Sequence, residues 1–211
     1  MPSDADVTAL RAHVERTLPA EWPAWPGVWH GQAELALLDA VLSISARYGG
    51  EGTGVRRAVK AYRDREGATG ADDFTVLAGF APEELADVLG NRQRVSGRSK
   101  AEAVVEAACN FTRLTPPVVH ADDLRPEEDE HRRAYTGVHG LGKQTWHYFC
   151  MLLGKPDVKA DRWIIRFVDE ALGRPTTAAE AHALVHAAAE RLDRSPTDVD
   201  HALWHTMSRR R

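Results

Sequence analysis

Two glycines one residue apart sit in the stretch Val138-His139-Gly140-Leu141-Gly142-Lys143-Gln144-Thr145, and Asp161 lies sixteen residues after Thr145. A Gly-x-Gly turn that opens a helix presents several backbone N–H groups at the positive end of the helix dipole, and glycine lets a ligand approach that backbone closely. The ligand this suits is a phosphate of a nucleic-acid backbone. A carboxylate a short way downstream is a group that could act on whatever the turn holds. Leu141 would anchor the turn in the core, and Thr145 would supply a helix cap or a hydroxyl for phosphate. On spacing alone Asp161 reads first as the N-cap of a helix over 162–172, and the turn as a plain connection between two helices.

The elements that must position these residues are helices. Ser3 and Asp6 resemble a capping box for a helix reaching about Leu18, and Pro23 and Pro26 make the next stretch a loop. Glu34–Ala46 is apolar on nearly all sides and reads as a central buried helix. Val55–Arg65 is basic and amphipathic. Pro82-Glu83-Glu84 opens a short helix, with proline first and acids in the first turn. Arg98–Thr112, Pro126–Tyr135, Thr145–Leu153, Asp161–Leu172, Ala178–Leu192 and Pro196–Met207 complete an all-α chain. Alternating strand patterns are absent, and no internal repeat or long linker interrupts the helices.

The chain has 211 residues, 43% of them hydrophobic and 27% charged, an ordinary globular balance. No apolar run approaches the roughly 20 residues that cross a bilayer. The first residues, Met1-Pro-Ser-Asp-Ala-Asp6, are acidic and carry no signal-peptide pattern, so an intracellular protein is expected. Cys109 and Cys150 lie in apolar helical contexts and read as buried free thiols. A net charge of −4 excludes a strongly basic coat for nucleic acid, but not binding through backbone amides and a local basic cluster. Arg92, Arg94, Arg98 and Lys100 form one such cluster, read equally as a phosphate grip or a solvated face. The Arg209–Arg211 tail reads as a frayed terminus.

The hairpin and the segment downstream of it resemble the helix-hairpin-helix (HhH-GPD) DNA glycosylase superfamily, endonuclease III-like. The family pattern is a Leu-Pro-Gly-hydrophobic-Gly-x-Lys-Thr hairpin, a helix, a Gly-x-Pro turn and a Val-to-Asp segment opening another helix. The matching residues here are Val138 to Thr145, Gly154-Lys155-Pro156 and Val158-Lys159-Ala160-Asp161. Leu37–Arg47 looks like the family's first barrel helix, and the run Gly97-Arg98-Ser99-Lys100-Ala101 looks like the segment before the hairpin. The resemblance covers roughly residues 30–170. It implies a two-lobed all-α fold. Residues 31–154 would form a helical barrel lobe with the hairpin at about 129–153, and residues 1–30 plus 155–211 a second helical lobe.

By that resemblance Asp161 is the catalytic carboxylate, stabilising the positive charge that builds on the deoxyribose and directing water to it. The partner is double-stranded DNA, held by His139, Gly140, Leu141, Gly142, Lys143, Thr145, Arg47 and Lys100. A base flipped out of the stack needs aromatic or gap-filling neighbours, and Ser45, Tyr48, Tyr148 and Trp163 are the candidates. Gln144 stands where bifunctional relatives carry the lysine that forms a Schiff base, which implies a monofunctional enzyme that uses water. Relatives with an iron–sulfur cluster carry four cysteines after the catalytic Asp; none occurs after Cys150 here, so no cluster is expected. The resemblance allows a monovalent cation at the hairpin carbonyls. His139 replaces the usual hairpin proline. His182-x-x-x-His186 and His201-x-x-x-His205 have a zinc-compatible spacing, yet neither pair has a third ligand in the sequence pattern, so no metal is expected.

The expected protein is therefore a monomeric, cytoplasmic, nucleoid-associated DNA glycosylase, with an alkylated purine as the preferred base. Two alternatives remain open: a non-catalytic helix-hairpin-helix DNA-binding protein, which Gln144 fits as well, and a helical interaction protein, which the negative charge favours.

Overall fold

The computed structural model describes residues 2–25, 27, 29–46, 49, 52–66 and 70–210. Among them are eleven α-helices and one β-hairpin of two two-residue strands. They fall into two compact units, residues 28–155 and residues 1–27 with 156–211. The fold class is all-α, as the helical periodicity implied. No helix among the described residues is long and apolar enough to cross a membrane.

The unit of residues 28–155 is built around α2 (Ala33–Leu42), all ten of whose residues are buried. Around it lie α3 (Gly54–Glu66), α4 (Phe74–Ala78), α5 (Pro82–Leu89), α6 (Lys100–Thr112), α7 (Asp129–Thr136) and α8 (Lys143–Leu152). Apolar patterning extends α2 to Ala46, but the helix stops at Leu42 because its end is capped from outside. Lys100 Nζ, 2% exposed, donates 2.8 Å hydrogen bonds to the carbonyls of Leu42 and Ile44 and to Gln93 Oε1. An ammonium at a helix C-terminus satisfies carbonyls that have no partner within the helix and complements the dipole. Two acids of α2 are buried with their own partners. Glu34 accepts the Asp73 N–H at 2.9 Å and the Tyr62 hydroxyl, and Asp39 accepts the Trp29 indole N–H at 3.1 Å. Rings fill the space between α4, α6, α7 and α8: Phe74 stacks on Phe111 with centroids 5.0 Å apart, and Tyr135 on Phe149 at 5.5 Å.

Two elements of this unit are not evident from sequence patterning. One is the five-residue α4. The other is the hairpin of β1 (Arg94–Val95) and β2 (Arg98–Ser99), whose strands are too short to show alternation. Its turn residues Ser96 and Gly97 have φ of 47° and 85°, the paired positive values of a tight turn that matches strand twist. Ser99 then caps α6, accepting the Glu102 N–H while the Glu102 carboxylate accepts the Ser99 N–H.

The second unit packs α1 (Asp4–Thr17), α9 (Arg162–Leu172), α10 (Ala178–Arg191) and α11 (Pro196–Ser208) around one apolar cluster. Leu10, Val14, Phe167, Val168, Leu184 and Leu203 are fully buried in it. Ser3 caps α1 by accepting the Asp6 N–H at 3.1 Å. Arg174 ties the α1 end to α10, with bonds of 2.9 Å to Asp6 and 2.7 Å to Glu180.

Candidate active-site residues

The Gly-x-Gly turn lies between α7 and α8. Gly140 has φ of +97°, which only glycine adopts readily. A β-carbon there would meet Val95 Cγ2 at 3.1 Å and the Ser96 Cβ and Oγ at 3.3 Å. The β-hairpin therefore props the turn from below, and His139 adds to this by donating its Nε2–H to the Ser96 carbonyl at 3.1 Å. That bond stands in for the rigidity a proline would give. Leu141 is buried as the anchor of the turn. Gly142, with extended backbone, is the N-cap of α8. Thr145 is a first-turn residue rather than the cap. Its hydroxyl accepts the Gly142 N–H at 3.1 Å and donates to the Gly142 carbonyl at 2.8 Å. It also faces the buried Tyr135 phenol, whose pKa burial pushes up. Gly142, Lys143 and Gln144 are exposed, so the first turn of α8 offers its positive end to solvent. The Val138 and Gly142 carbonyls accept the Leu141 and Trp146 amides at 3.0 Å.

Two other candidates in this unit, Lys100 and Tyr148, are corrected. Lys100, read as a DNA contact, is buried as the cap of α2 and does not reach solvent; burial pushes its pKa down to about 8. Tyr148, read as a base-stacking residue, is a core residue whose hydroxyl stands 3.4 Å from Asp39 Oδ1. Ser45 is exposed at φ of 51° in the turn after α2. The arginines of the expected basic cluster are engaged locally: Arg92 with Asp87, Arg94 with the Gly97 carbonyl, and Arg98 with Glu106 at 2.5 Å. This favours the solvated-face reading. Arg47 and Tyr48 lie outside the described residues. Cys150 is buried as expected, Cys109 is only half-buried, and no disulfide joins them.

Asp161 opens α9 in the other unit. Its Oδ1 accepts the Trp163 N–H at 2.8 Å and the Ile164 N–H at 3.3 Å, so the capping role read from spacing is real. Trp163 is half-buried, with the Arg162 guanidinium 4.6 Å above its ring, so one face of the indole is already covered. The backbone leading to Asp161 is held by α11. Thr197 Oγ1 accepts the Asp157 N–H at 3.1 Å and Asp200 Oδ1 accepts the Lys159 N–H at 2.9 Å.

Asp200 carries no mark in the sequence, because an acid four residues into a helix looks like a solvated one. It is 5% exposed, and burial, reinforced by the Asp161 charge, pushes its pKa well up. A carboxyl whose folded pKa exceeds its unfolded value contributes stability that is complete below about pH 4 and is lost as pH rises through the folded pKa. Asp200→Asn keeps the acceptor for Lys159 and removes the titration. In urea titrations across this range, the native chain is expected to lose stability relative to Asp200→Asn as pH climbs from about 4. A gap that stays constant with pH would contradict this account.

The model of a domain of unknown function, DUF8548, matches residues 8–208. The chain belongs to the DUF8548 family. No curated protein matches it. Solved structures show what fold this DUF8548 chain has. A crystal structure of the H. pylori 3-methyladenine DNA glycosylase MagIII, bound to 1,N6-ethenoadenine, is 18% identical with a TM-score of 0.66, over 96% of this chain and 95% of that one. The structure of a thermostable thymine-DNA glycosylase is 16% identical with a TM-score of 0.57, over 97% of this chain and 85% of that one. The DUF8548 chain thus has the helical fold of DNA glycosylases along nearly its whole length.

Proposed function

We propose that this chain is a DNA base-excision glycosylase of the monofunctional type. It hydrolyses the N-glycosidic bond of a base flipped out of a DNA duplex, with Asp161 as the catalytic carboxylate and water as the nucleophile. The observation that carries the reading is the joint occurrence of a glycosylase fold over 96% of the chain with an Asp in the Val158-to-Asp161 segment that opens a helix. The exposed first turn of α8, set by Gly140 and Gly142, is the backbone-amide grip for a DNA phosphate, with His139 and Lys143 beside it. As the C–N bond lengthens, positive charge spreads over the sugar ring. A fixed carboxylate stabilises that charge and orients the attacking water. Two amide hydrogen bonds hold the Asp161 side chain in one orientation. An alkylated purine is the preferred base, because Gln144 stands in place of a Schiff-base lysine and no cysteine follows Cys150 to hold a cluster. The protein would act as a monomer at the nucleoid.

The test is incubation with duplexes carrying alkylated, deaminated or oxidised bases, and then treatment with alkali. Strand breaks at one class of base are expected. With Gln144 in place of an amine nucleophile, borohydride should trap no covalent adduct on the productive substrate, and a trapped adduct would refute the water mechanism. Salt-sensitive binding to a duplex with an abasic-site analogue, without base release from any substrate, would instead favour the non-catalytic DNA-binding protein.

A further inference from the structure

Two histidines of α10 and an aspartate of the segment before α9 gather around one atom. His182 Nε2 stands 2.7 Å, and His186 Nε2 3.2 Å, from the same Asp157 Oδ1. Their i, i+4 spacing puts both rings on one face of the helix, with centroids 4.6 Å apart. The same oxygen also accepts the Val158 N–H at 2.8 Å. A carboxylate oxygen has two lone pairs, so three donors converging on it are one too many. If a ring turns its bare nitrogen inward instead, two lone pairs face each other at contact distance. A cation among the three atoms relieves both arrangements. The backbone of Asp157 is held in place, since Thr197 Oγ1 accepts the Asp157 N–H and donates to the Asp157 carbonyl, both at 3.1 Å.

We propose that Asp157, His182 and His186 bind one divalent transition-metal ion of the zinc class. Ligand atoms about 2.0–2.1 Å from a tetrahedral zinc stand about 3.3 Å from one another. The two histidine nitrogens, 2.7 and 3.2 Å from Asp157 Oδ1, are within about 0.6 Å of that spacing to the carboxylate. Two imidazoles and one carboxylate suit zinc or nickel and are a poor set for magnesium, which prefers oxygen. The ion would fasten α10 to the segment that runs on to Asp161. The sequence shows the histidine pair but not its third ligand, because Asp157 lies 25 residues before His182 in a loop. The site is independent of the glycosylase reading.

The test uses the full, untagged chain stripped by a chelator and titrated calorimetrically with ZnCl2, NiCl2 and MgCl2. One zinc or nickel per chain is expected, with no magnesium binding. The melting temperature should rise by roughly 5–10 °C at about 100 times the Kd. Asp157→Asn and the double variant His182→Ala/His186→Ala should each weaken zinc binding by about tenfold or more, while His201→Ala/His205→Ala should leave it unchanged. Circular dichroism checks that each variant folds, and His186→Gln, close in size and still polar, replaces the double variant if that fails. The site is refuted by no saturable zinc or nickel binding to the native chain. It is equally refuted by binding that survives His186→Gln unweakened or that disappears with His201→Ala/His205→Ala.

Discussion

Asp161→Asn is expected to slow base release by about 100–1,000-fold, the range seen when one group aimed at developing charge is removed. Asparagine caps a helix as well as aspartate does, and its amide oxygen can accept the same Trp163 and Ile164 amides. The substitution therefore removes the negative charge while leaving α9 in place. Asp161→Ala makes the contrast. It also abolishes the cap, which costs about 1 kcal/mol, and should lower the urea midpoint where Asp161→Asn does not. Single-turnover kinetics on the productive duplex separates the chemical step from binding. The expected pattern is a lower rate for both variants, a stability loss for the alanine variant alone, and DNA affinity within a few-fold of the native chain. If the asparagine variant releases base at the native rate, Asp161 is only a cap and the catalytic carboxylate must be sought elsewhere.

Lys100→Ala should be among the most destabilising substitutions in the chain. The side chain is 2% exposed and its ammonium serves three oxygens at 2.8 Å. Truncation leaves the Leu42 and Ile44 carbonyls without that donor at the end of the most buried helix, and it opens a cavity. Together these are expected to cost about 3–5 kcal/mol, read as a lower urea midpoint. Lys100→Met fills most of the volume and isolates the loss of the donor. The salt dependence of DNA binding distinguishes this structural role from a phosphate contact. A phosphate-binding lysine contributes about one unit to the slope of log affinity against log salt. A buried cap contributes nothing, so the slope should not change in any variant that stays folded. A stable Lys100→Ala with a shallower slope would restore the DNA contact.

The two residues show what a sequence can and cannot disclose. Helix patterning located the long elements well: α10 runs Ala178–Arg191 against an expected Ala178–Leu192, and α11 runs Pro196–Ser208 against Pro196–Met207. Proline at the first turn and apolar periodicity are local signals, and these helices obey them. Asp161 was readable for the same reason, since an N-cap is defined by its own neighbours. Lys100 was not. Its charge and its place in an arginine-rich stretch suggest surface, and only the fold brings the end of α2, 58 residues earlier, to its amine. Tyr148 went the same way, because an aromatic at the start of an amphipathic helix carries no mark of which face is buried. Asp200 and the Asp157 loop depend likewise on partners far along the chain. The β-hairpin was missed because two-residue strands have no period, although its Ser-Gly turn was in plain view.

That hairpin links the evolution of two places in the chain. A β-carbon at position 140 would be crowded, with Val95 and Ser96 atoms 3.1–3.3 Å from where it would lie, on a backbone whose φ of +97° already disfavours one. A family member that gives up Gly140 is favoured if residues 95 and 96 also shrink or shift by a few tenths of an ångström, and one that enlarges residue 96 is favoured if it keeps the glycine. Across DUF8548 chains the two positions are expected to vary together, so that a change of turn at 96–97 is inherited with a change in the loop that opens α8, some 40 residues away.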